Sequence, residues 1–235
     1  MTRMIGSPRR HEPECESTQL LLGPDDPEGA IATTDHQTAG RGRFGRQWVE
    51  APATSVLVSI LLRPPPERSA PELSLVAALA TALAVEDATG LAAQIKWPND
   101  VMLDRRKVAG MLAELKRELV VVGIGLNVNQ AREQLPPETK VAAASLRTID
   151  GSVRDREEVL EMLLGRLDAC YTTWQESGLD GLYDELGARD FLRGRRVTLD
   201  GAAGTADRIE RDGRLAVETE SGRVLVASGE VLFER

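Results

Sequence analysis

Two apolar runs constrain the fold of this chain more than any other feature of its sequence. Residues Ser55–Leu62 and residues 119–129 carry no charged side chain, and the second run is dense in valine and isoleucine. Such runs are typical of buried strands, because a strand with one face in water alternates apolar with polar residues. The chain is therefore expected to build its core around a sheet.

Shorter segments add to this sheet. Residues 30–34 read as a strand, and residues 107–115 as another that the charged turn Lys116-Arg117-Glu118 joins to the second apolar run, a pattern that predicts a hairpin. Residues 95–97 are too short to be more than a strand edge. Residues 1–14 show no periodicity and are expected to be a flexible lead-in.

Two helices are predicted from apolar residues spaced three and four positions apart. The first spans residues 71–89 and stops at Gly90. The second starts at Asp155, with Glu158 three residues later as in a capping box, and continues as an amphipathic helix. Cys170 lies beside its apolar face and is interpreted as a small core residue.

The pattern changes near Ala188, which is taken as a domain boundary. Beyond it, short segments alternate apolar and polar residues, and Asp212-Gly213 and Ser221-Gly222 are expected hairpin turns. About 45 residues of short strands predict a small barrel. The predicted strands are residues 196–199, 205–209, 214–218 and 223–227.

The segment from His36 to Trp48 differs in composition from the rest of the chain. Three glycines and three arginines alternate here with almost no apolar side chain, so a mobile loop that orders on a ligand is expected. Arginine offers forked donors to phosphate or carboxylate. No Gly-Lys-Ser/Thr follows, and no GxGxxG opens a helix. A nucleotide loop, a nucleic-acid-binding tract and a solvated turn therefore remain equal interpretations.

Composition excludes several classes of protein. A net charge of −8 argues against a surface that binds nucleic acid throughout, since that function needs a broad basic face. Cys15 and Cys170 are too few for a disulfide framework, and His11 and His36 lack suitably spaced partners for a metal site. No apolar run approaches the roughly 20 residues of a membrane span, and no secretory signal is visible. A cytoplasmic protein without a membrane partner is expected.

Four stretches, taken together and in order, resemble the biotin protein ligases. They are GRGRFGRQW at residues 40–48, KWPND at residues 96–100, KVAGML at residues 107–112 and GIGLNVN at residues 123–129. The first resembles the family's biotin-binding loop, the second its KWPND box, the third its lysine strand and the fourth its GxGxN segment. One such motif would be weak evidence, but four in the family's order and at its usual separation are strong evidence. The resemblance covers nearly the whole chain.

The resemblance implies both a fold and a domain division. The expected fold is α+β, a mixed β-sheet with helices of the class II synthetase-like biotin/lipoate ligase type, over residues 15–188. A small C-terminal SH3-like β-barrel is expected over residues 189–235. Some family members begin with a helix-turn-helix domain that represses transcription. Residues 1–14 are too few for one, so no DNA partner and no repressor activity are expected.

The resemblance also implies a two-step reaction. The carboxylate of biotin attacks the α-phosphate of ATP to give biotinyl-5'-AMP and pyrophosphate. A lysine amine of a biotin carboxyl carrier protein, of the acetyl-CoA carboxylase type, then takes the biotinyl group. ATP and biotin are the expected substrates, and Mg²⁺ is expected to arrive with ATP rather than in a site built by the protein alone. The chain is expected to be a monomer or a homodimer.

Three residues are assigned to catalysis on the motifs. Arg43 and Lys107 are expected to bridge the reacting carboxylate and the α-phosphate, whose like charges oppose the reaction. Asp100 is expected to orient or deprotonate the incoming lysine, because a free lysine amine has a pKa of about 10.4 and is mostly protonated at neutral pH. Without the motifs, Lys107 would be read as a charged strand-end residue and Asp100 as ordinary turn chemistry.

Binding residues follow from the same motifs. Gln37 and the backbone of Gly42 are expected on the ureido ring of biotin, Trp48 on adenine, and Gln19 stands where the family usually has Asn. The expected biotin-binding residues are Ser17, Thr18, Gln19, Gln37, Gly40, Arg41, Gly42, Arg43, Lys107 and Gly110. The expected ATP- or adenylate-binding residues are Arg41, Arg43, Arg46, Trp48, Asn99, Lys107 and Asn127.

Three other functions compete with this interpretation. A lipoate ligase or octanoyl transferase shares the fold and modifies a carrier lysine, but its loop lacks the GRGRxGRxW pattern. A nucleic-acid-binding module would use the arginine-glycine loop, which binding to DNA in a salt gradient would reveal. A non-catalytic biotin sensor or corepressor would act through a dimer surface.

Overall fold

A computed structural model describes residues 4–137, 141–199 and 202–234. In these parts of the chain the strands form two sheets, a seven-stranded one in the order β1-β2-β3-β7-β6-β5-β4 and a five-stranded one in the order β11-β10-β9-β8-β12. The strands of the larger sheet are β1 (Arg9–Cys15), β2 (Ile31–Gln37), β3 (Ser55–Leu62), β4 (Gln94–Lys96), β5 (Asp100–Leu103), β6 (Arg106–Lys116) and β7 (Leu119–Asn127). Those of the smaller sheet are β8 (Arg196–Leu199), β9 (Ala202–Ile209), β10 (Leu215–Thr219), β11 (Gly222–Val226) and β12 (Val231–Phe233).

The centre of the larger sheet follows the apolar runs. Every residue of β3 is buried, and β3 pairs antiparallel with β7 from Ser55 opposite Asn127 to Leu62 opposite Val120. β7 pairs antiparallel with β6 through a tight turn. The predicted strand at Ser55–Leu62 and the predicted hairpin are both confirmed.

Alternation along β7 separates the two faces of this sheet. Val120, Val122 and the other even-numbered residues join the main core beneath the helices, whereas Leu119 and Val121 join a small second cluster. Because successive side chains of a strand point to opposite faces, Gly123, which follows Val121 by two residues, belongs to the face of the small cluster. That face, bare of side chains at the glycines, is where the candidate site lies.

Helices cover the other face. They are α1 (Leu73–Thr89), α2 (Leu146–Asp150), α3 (Arg156–Ser177) and α4 (Tyr183–Ala188). α1 packs against α3 and the sheet, and its C-cap Gly90 has φ +70°, a left-handed conformation that favours glycine. Asp155 caps α3 by accepting a hydrogen bond from Glu157 N at 2.7 Å, and Cys170 is buried as predicted. No described helix has both the length and the apolar content that a membrane span requires.

The smaller sheet is joined to the rest by specific contacts. Trp97 Nε1 donates to Gly213 O at 2.8 Å, in the turn between β9 and β10. Phe191 N donates to Ile95 O at 2.9 Å, which covers the outer edge of β4, and Phe191 packs edge-on against Phe233. The sheet is therefore held against the short strand that precedes the KWPND turn.

The expectation of a flexible lead-in over residues 1–14 is wrong for residues 9–14. These residues belong to β1 (Arg9–Cys15), which pairs parallel with β2, and Ile5 before it is fully buried. Met4 N and Ile5 N both donate to Asp168 Oδ1 at 2.9 Å. β1 is an edge strand with exposed side chains, so its sequence carries no apolar periodicity that could have predicted it. The domain boundary near residue 188 stays a prediction.

Candidate functional site

A cavity of about 450 Å³ opens on the glycine face of the larger sheet. Its walls come from the arginine-glycine loop, from β6 and β7, and from the C-terminal strand β12. Every predicted site residue except Gly40 lines it. These lining residues are Ser17, Thr18, Gln19, Gln37, Arg41, Gly42, Arg43, Arg46, Trp48, Asn99, Asp100, Lys107, Gly110 and Asn127.

The arginine-glycine loop folds back on itself. Trp48 N donates to Gly40 O at 3.0 Å, and Gly42 N donates to Arg46 O at 2.8 Å. A Cβ on Gly40 would lie 2.4 Å from Trp48 O, so the close approach of the two loop ends requires glycine. Phe44, at the exposed tip, has φ +58°, which is costly for a bulky residue. The predicted mobility of the loop stays a prediction.

Cations gather around one carboxylate in the cavity. Lys107 Nζ lies 2.6 Å from Asp100 Oδ1, and Lys96 Nζ lies 4.0 Å from Asp100 Oδ2. Burial is the main cause that lowers the pKa of Lys96, and Asp100 acts against it. Arg43 Nη1 donates to Asn99 Oδ1 at 3.2 Å, and burial again is the main cause that lowers its pKa. The arrangement holds more positive than negative charge and can receive an anion.

The other two loop arginines have carboxylate partners of their own. Arg41 pairs with Glu114 at 2.9 Å, and Arg46 pairs with Glu230 at 2.6 Å. Glu230 immediately precedes β12, so Arg46 links the loop to the C-terminal sheet. Each of these ion pairs neutralises one arginine of a loop that looks strongly basic in the sequence.

Trp48 lies flat against two glycines. A Cβ on Gly125 would lie 2.4 Å from its ring, and one on Gly110 would lie 3.1 Å from it. Lys107 Nζ is 5.8 Å from the ring centroid. The indole Nε1 is buried without a hydrogen-bond partner among the described residues. Because the two glycines have no side chain, they leave a slot above the sheet that the indole ring of Trp48 occupies.

Polar groups close the opposite end of the cavity. Gln37 Oε1 accepts from Thr18 N at 2.9 Å, and Thr18 Oγ1 lies 2.7 Å from Ser59 Oγ. Gln19 Nε2 donates to Leu112 O at 2.8 Å, whereas its Oε1 is buried and has no partner in the described ranges. An unpartnered buried acceptor is costly, so this end suits a ligand that brings an N–H donor.

Asn127 is held by neighbours in the protein. Its Nδ2 donates to Ala144 O at 3.0 Å, and its Oδ1 accepts from Gln130 Nε2 at 2.9 Å. These bonds tie β7 to the segment before α2. Asn127 lines the cavity, but part of its bonding capacity is used, and its contact with a nucleotide stays a prediction.

The comparisons with known proteins agree with this geometry. Residues 16–129 match the Biotin/lipoate A/B protein ligase family. The chain is 35% identical to the biotin–[acetyl-CoA-carboxylase] ligase of Mycobacterium tuberculosis, over 89% of this chain and 81% of that protein. It is 34% identical to the bifunctional ligase/repressor BirA of Bacillus subtilis, over 98% of this chain and 75% of that protein. The chain belongs to the biotin protein ligases.

A solved biotin protein ligase shares the whole architecture. The ligase from Aquifex aeolicus in complex with biotin and ATP is 32% identical and superposes with a TM-score of 0.89, over 98% of this chain and 100% of that one. The predicted α+β ligase fold is therefore confirmed, and the antiparallel C-terminal sheet agrees with the predicted SH3-like domain.

Sequence reasoning missed several residues of this biotin protein ligase site. Lys96, Gly123 and Gly125 line the cavity and stand inside motifs already recognised, so the motifs themselves carried the signal. Glu230 and Leu232 also line it, yet they come from the far end of the chain with no motif around them. Among the described residues, no group of three or more His, Cys, Asp or Glu is arranged to hold a metal ion.

Proposed function

We propose that this biotin protein ligase activates biotin with ATP as biotinyl-5'-AMP and transfers the biotinyl group to a lysine of a biotin carboxyl carrier protein of the acetyl-CoA carboxylase type. The observation that carries the proposal is the pairing of Lys107 and Lys96 with Asp100, with Arg43 bonded to the neighbouring Asn99. This group lies beside a cavity whose other end holds the unpartnered Gln19 Oε1. The names of the M. tuberculosis relative and of the A. aeolicus complex support it.

The first step joins two anions. A carboxylate oxygen of biotin attacks the α-phosphorus of ATP, an acyl phosphate bond forms, and the bond to the β-phosphate breaks to release pyrophosphate. Repulsion between carboxylate and phosphates opposes this approach, so fixed cations lower the barrier. Arg43 and Lys107 serve as the bridge between the reacting groups, and the position of Lys96 near Asp100 makes it a further cation for the phosphates.

Magnesium fits the site only together with the nucleotide. Asp100 and Glu230 are the carboxylates that line the described part of the cavity, which is too few for a protein-only Mg²⁺ cage. Mg²⁺ usually binds through one or two carboxylates plus substrate phosphates. The ion would therefore be held mainly by the phosphates of ATP, and its chemistry would be to neutralise their charge.

The second step forms the amide. The carrier lysine attacks the carbonyl carbon of biotinyl-AMP, the C–N bond forms, and the C–O bond to AMP breaks. The amine must first lose a proton, for which Asp100 is the proposed orienting or accepting group. Its carboxylate lies beside Lys107, where the mixed anhydride would be held.

Binding of the two substrates divides along the cavity. Gln37 and Gln19 serve the ureido ring with Ser17, Thr18 and the Gly42 backbone, because an amide end with a free acceptor complements its N–H groups. Trp48 serves adenine, and Asn127 and Asn99 serve the nucleotide. Gly40 also shapes the loop, since its O accepts from Trp48 N at 3.0 Å, and its contact with biotin stays a prediction.

The proposal includes a cytoplasmic enzyme, either a monomer or a homodimer, without repressor activity. The net charge of −8 and the pairing of Arg41 with Glu114 and of Arg46 with Glu230 support the last point. A protein whose loop arginines are already neutralised lacks the basic face that DNA requires. Retention on DNA in a salt gradient at physiological ionic strength would contradict this part.

Pyrophosphate exchange into ATP tests the adenylation step. Purified protein is incubated with Mg²⁺, ATP and labelled pyrophosphate, with biotin, lipoate or octanoate added singly. Exchange with biotin alone is expected. Exchange with lipoate or octanoate instead would move the chain to the other branch of the matched family, and no exchange with any acid would overturn the proposal.

A further inference from the structure

Glu50 is a buried carboxylate that the proposed reaction does not use. It lies two residues after Trp48, the last residue of the arginine-glycine loop, and its side chain has no exposed surface. Its Oε1 accepts a hydrogen bond from Gln37 N at 2.9 Å and lies 3.2 Å from His36 Nδ1. Its Oε2 has no partner within the described chain. Burying a charge in this way costs free energy that packing alone does not return.

The carboxylate closes the base of the loop. Gln37 ends β2 at the start of the loop and Glu50 follows its last residues, so the bond between them ties the two ends together. The bond fixes the backbone of Gln37 while the side chain of Gln37 is fixed separately, through Oε1, by Thr18 N at 2.9 Å. Among the described residues, Gln37 Nε2 donates to no protein acceptor, so its two hydrogens are available to a ligand.

We propose that Glu50 is a positioning residue, which holds Gln37 and the closed base of the loop in the geometry that receives the ring of biotin. The inference rests on the proposed function for the identity of that ligand. The titratable groups that face Glu50 are His36, on the same loop stem, and Cys15 at the end of β1, whose thiol senses the Glu50 charge. Neither replaces the bond to Gln37 N.

Kinetics separate positioning from general stability. Glu50→Ala is expected to raise the KM for biotin in pyrophosphate exchange about tenfold, because a hydrogen bond to a charged group is lost. The KM for ATP should stay within about twofold of wild type. Glu50→Gln keeps an acceptor oxygen of the same reach, so its KM for biotin should stay within about threefold of wild type.

Glu72→Ala is the matched control. Glu72 is another carboxylate with a single described hydrogen bond, although it is only partly buried, and it accepts from Trp174 Nε1 at 2.7 Å on the helix side of the sheet. Its loss should lower stability without changing the KM for biotin. Equal increases in both KM values for Glu50→Ala, or the same increase for Glu72→Ala, would overturn the proposal. If Glu50→Ala does not fold, Glu50→Asp, which withdraws the carboxylate by one methylene, should show the same change.

Trypsin gives a measurement that needs no substrate. Arg41, Arg43 and Arg46 place cleavage sites in the loop, and release of its base should speed cutting there in Glu50→Ala but not in Glu50→Gln. Wild-type cleavage rates in Glu50→Ala would overturn the proposal even if biotin exchange is present. If Glu50→Ala is cleaved faster but the wild-type protein shows no exchange with biotin, Glu50 still holds the base of the loop and the proposed function is rejected.

Discussion

Lys107 Nζ lies 2.6 Å from Asp100 Oδ1, while Lys96 Nζ lies 4.0 Å from the other oxygen of the same carboxylate. The register of the sheet explains this meeting, because β5 begins at Asp100 and pairs with β6 through a bulge that brings Met102 opposite Lys107. One carboxylate thus orders two ammonium groups. The proposed role of this carboxylate, to accept a proton from the incoming amine, can be tested directly.

Asp100→Asn is expected to slow transfer from preformed biotinyl-AMP to the carrier lysine by about 10²-fold, the lower end of general acid–base contributions. The amide keeps the shape of the side chain but is a poor proton acceptor. The measurement is a single-turnover assay with isolated biotinyl-AMP, so that adenylation does not limit the rate. Asp104→Asn, an exposed carboxylate paired with Arg106 at 2.6 Å, is the control. Unchanged transfer in Asp100→Asn would remove this role.

Arg46 and Glu230 are expected to retain the adenylate by joining the loop to the C-terminal sheet. The pair is 2.6 Å long and partly exposed, so its worth should not exceed about 1 kcal/mol, or about fivefold in a rate. Arg46→Ala and Glu230→Ala should each raise the rate at which biotinyl-AMP is lost to solvent by up to that factor. The double variant should lose it no faster than either single variant.

The control for this cycle is a surface pair remote from the loop. Arg211 and Asp180 are also 2.6 Å apart and join the C-terminal sheet to the turn after α3. Their removal should leave adenylate loss unchanged. Additive effects of Arg46→Ala and Glu230→Ala would mean that the two residues act separately. That result would contradict a role of the ion pair in joining the loop to the C-terminal sheet.

Sequence patterns predicted the buried centre of the fold and missed its margins. Ser55–Leu62 is apolar because both of its faces are covered, and the strand was found at its observed bounds. Arg9–Cys15 is an edge strand with exposed side chains, and β12 is only three residues long. Neither has an apolar period, because pairing at an edge is made by the backbone, which every sequence shares.

The candidate site, too, could be predicted only in part from the sequence. Lys107, Asp100 and Arg43 were assigned from local motifs, and the fold brings these motifs to one cavity. Glu230 could not be assigned, since its contact with Arg46 depends on how the C-terminal sheet packs. The position of the Gln19 amide also depends on tertiary structure, since a Cβ on Gly123 would lie 2.6 Å from Gln19 Nε2.

Gly125→Ala is expected to displace Trp48 and weaken substrate binding. The added Cβ would lie 2.4 Å from the indole ring, a separation that the ring cannot keep. We expect the KM for ATP to rise at least about tenfold, since overpacking costs typically 1–3 kcal/mol. Gly165→Ala in α3 is the control, because a Cβ there meets nothing within 4 Å. A normal KM together with unchanged tryptophan fluorescence would show that the slot is not rigid.

Glu50→Gln gives the clearest dependence of stability on pH. Burial is the main cause that raises the pKa of Glu50 above its ordinary 4.5, while the Gln37 N–H and His36 act in the opposite direction. Between pH 4.5 and the raised pKa, Glu50 therefore keeps its proton in the folded state, whereas it has already lost that proton in the unfolded chain. The stability that this group contributes is present below that range and is lost as the pH rises through the raised pKa.

The glutamine variant has no such titration, so its free energy of unfolding, relative to wild type, should rise with pH across that window and then level off. Urea unfolding from pH 4 to pH 8 measures the difference. Asp150→Asn is the opposite case, because the hydrogen bond from Arg154 is the main cause that lowers the pKa of Asp150 below 3.8. Its loss of stability should already be complete near pH 5 and constant above it. A relative stability of Glu50→Gln that falls with rising pH would mean that His36 stabilises the charged carboxylate more than burial opposes it.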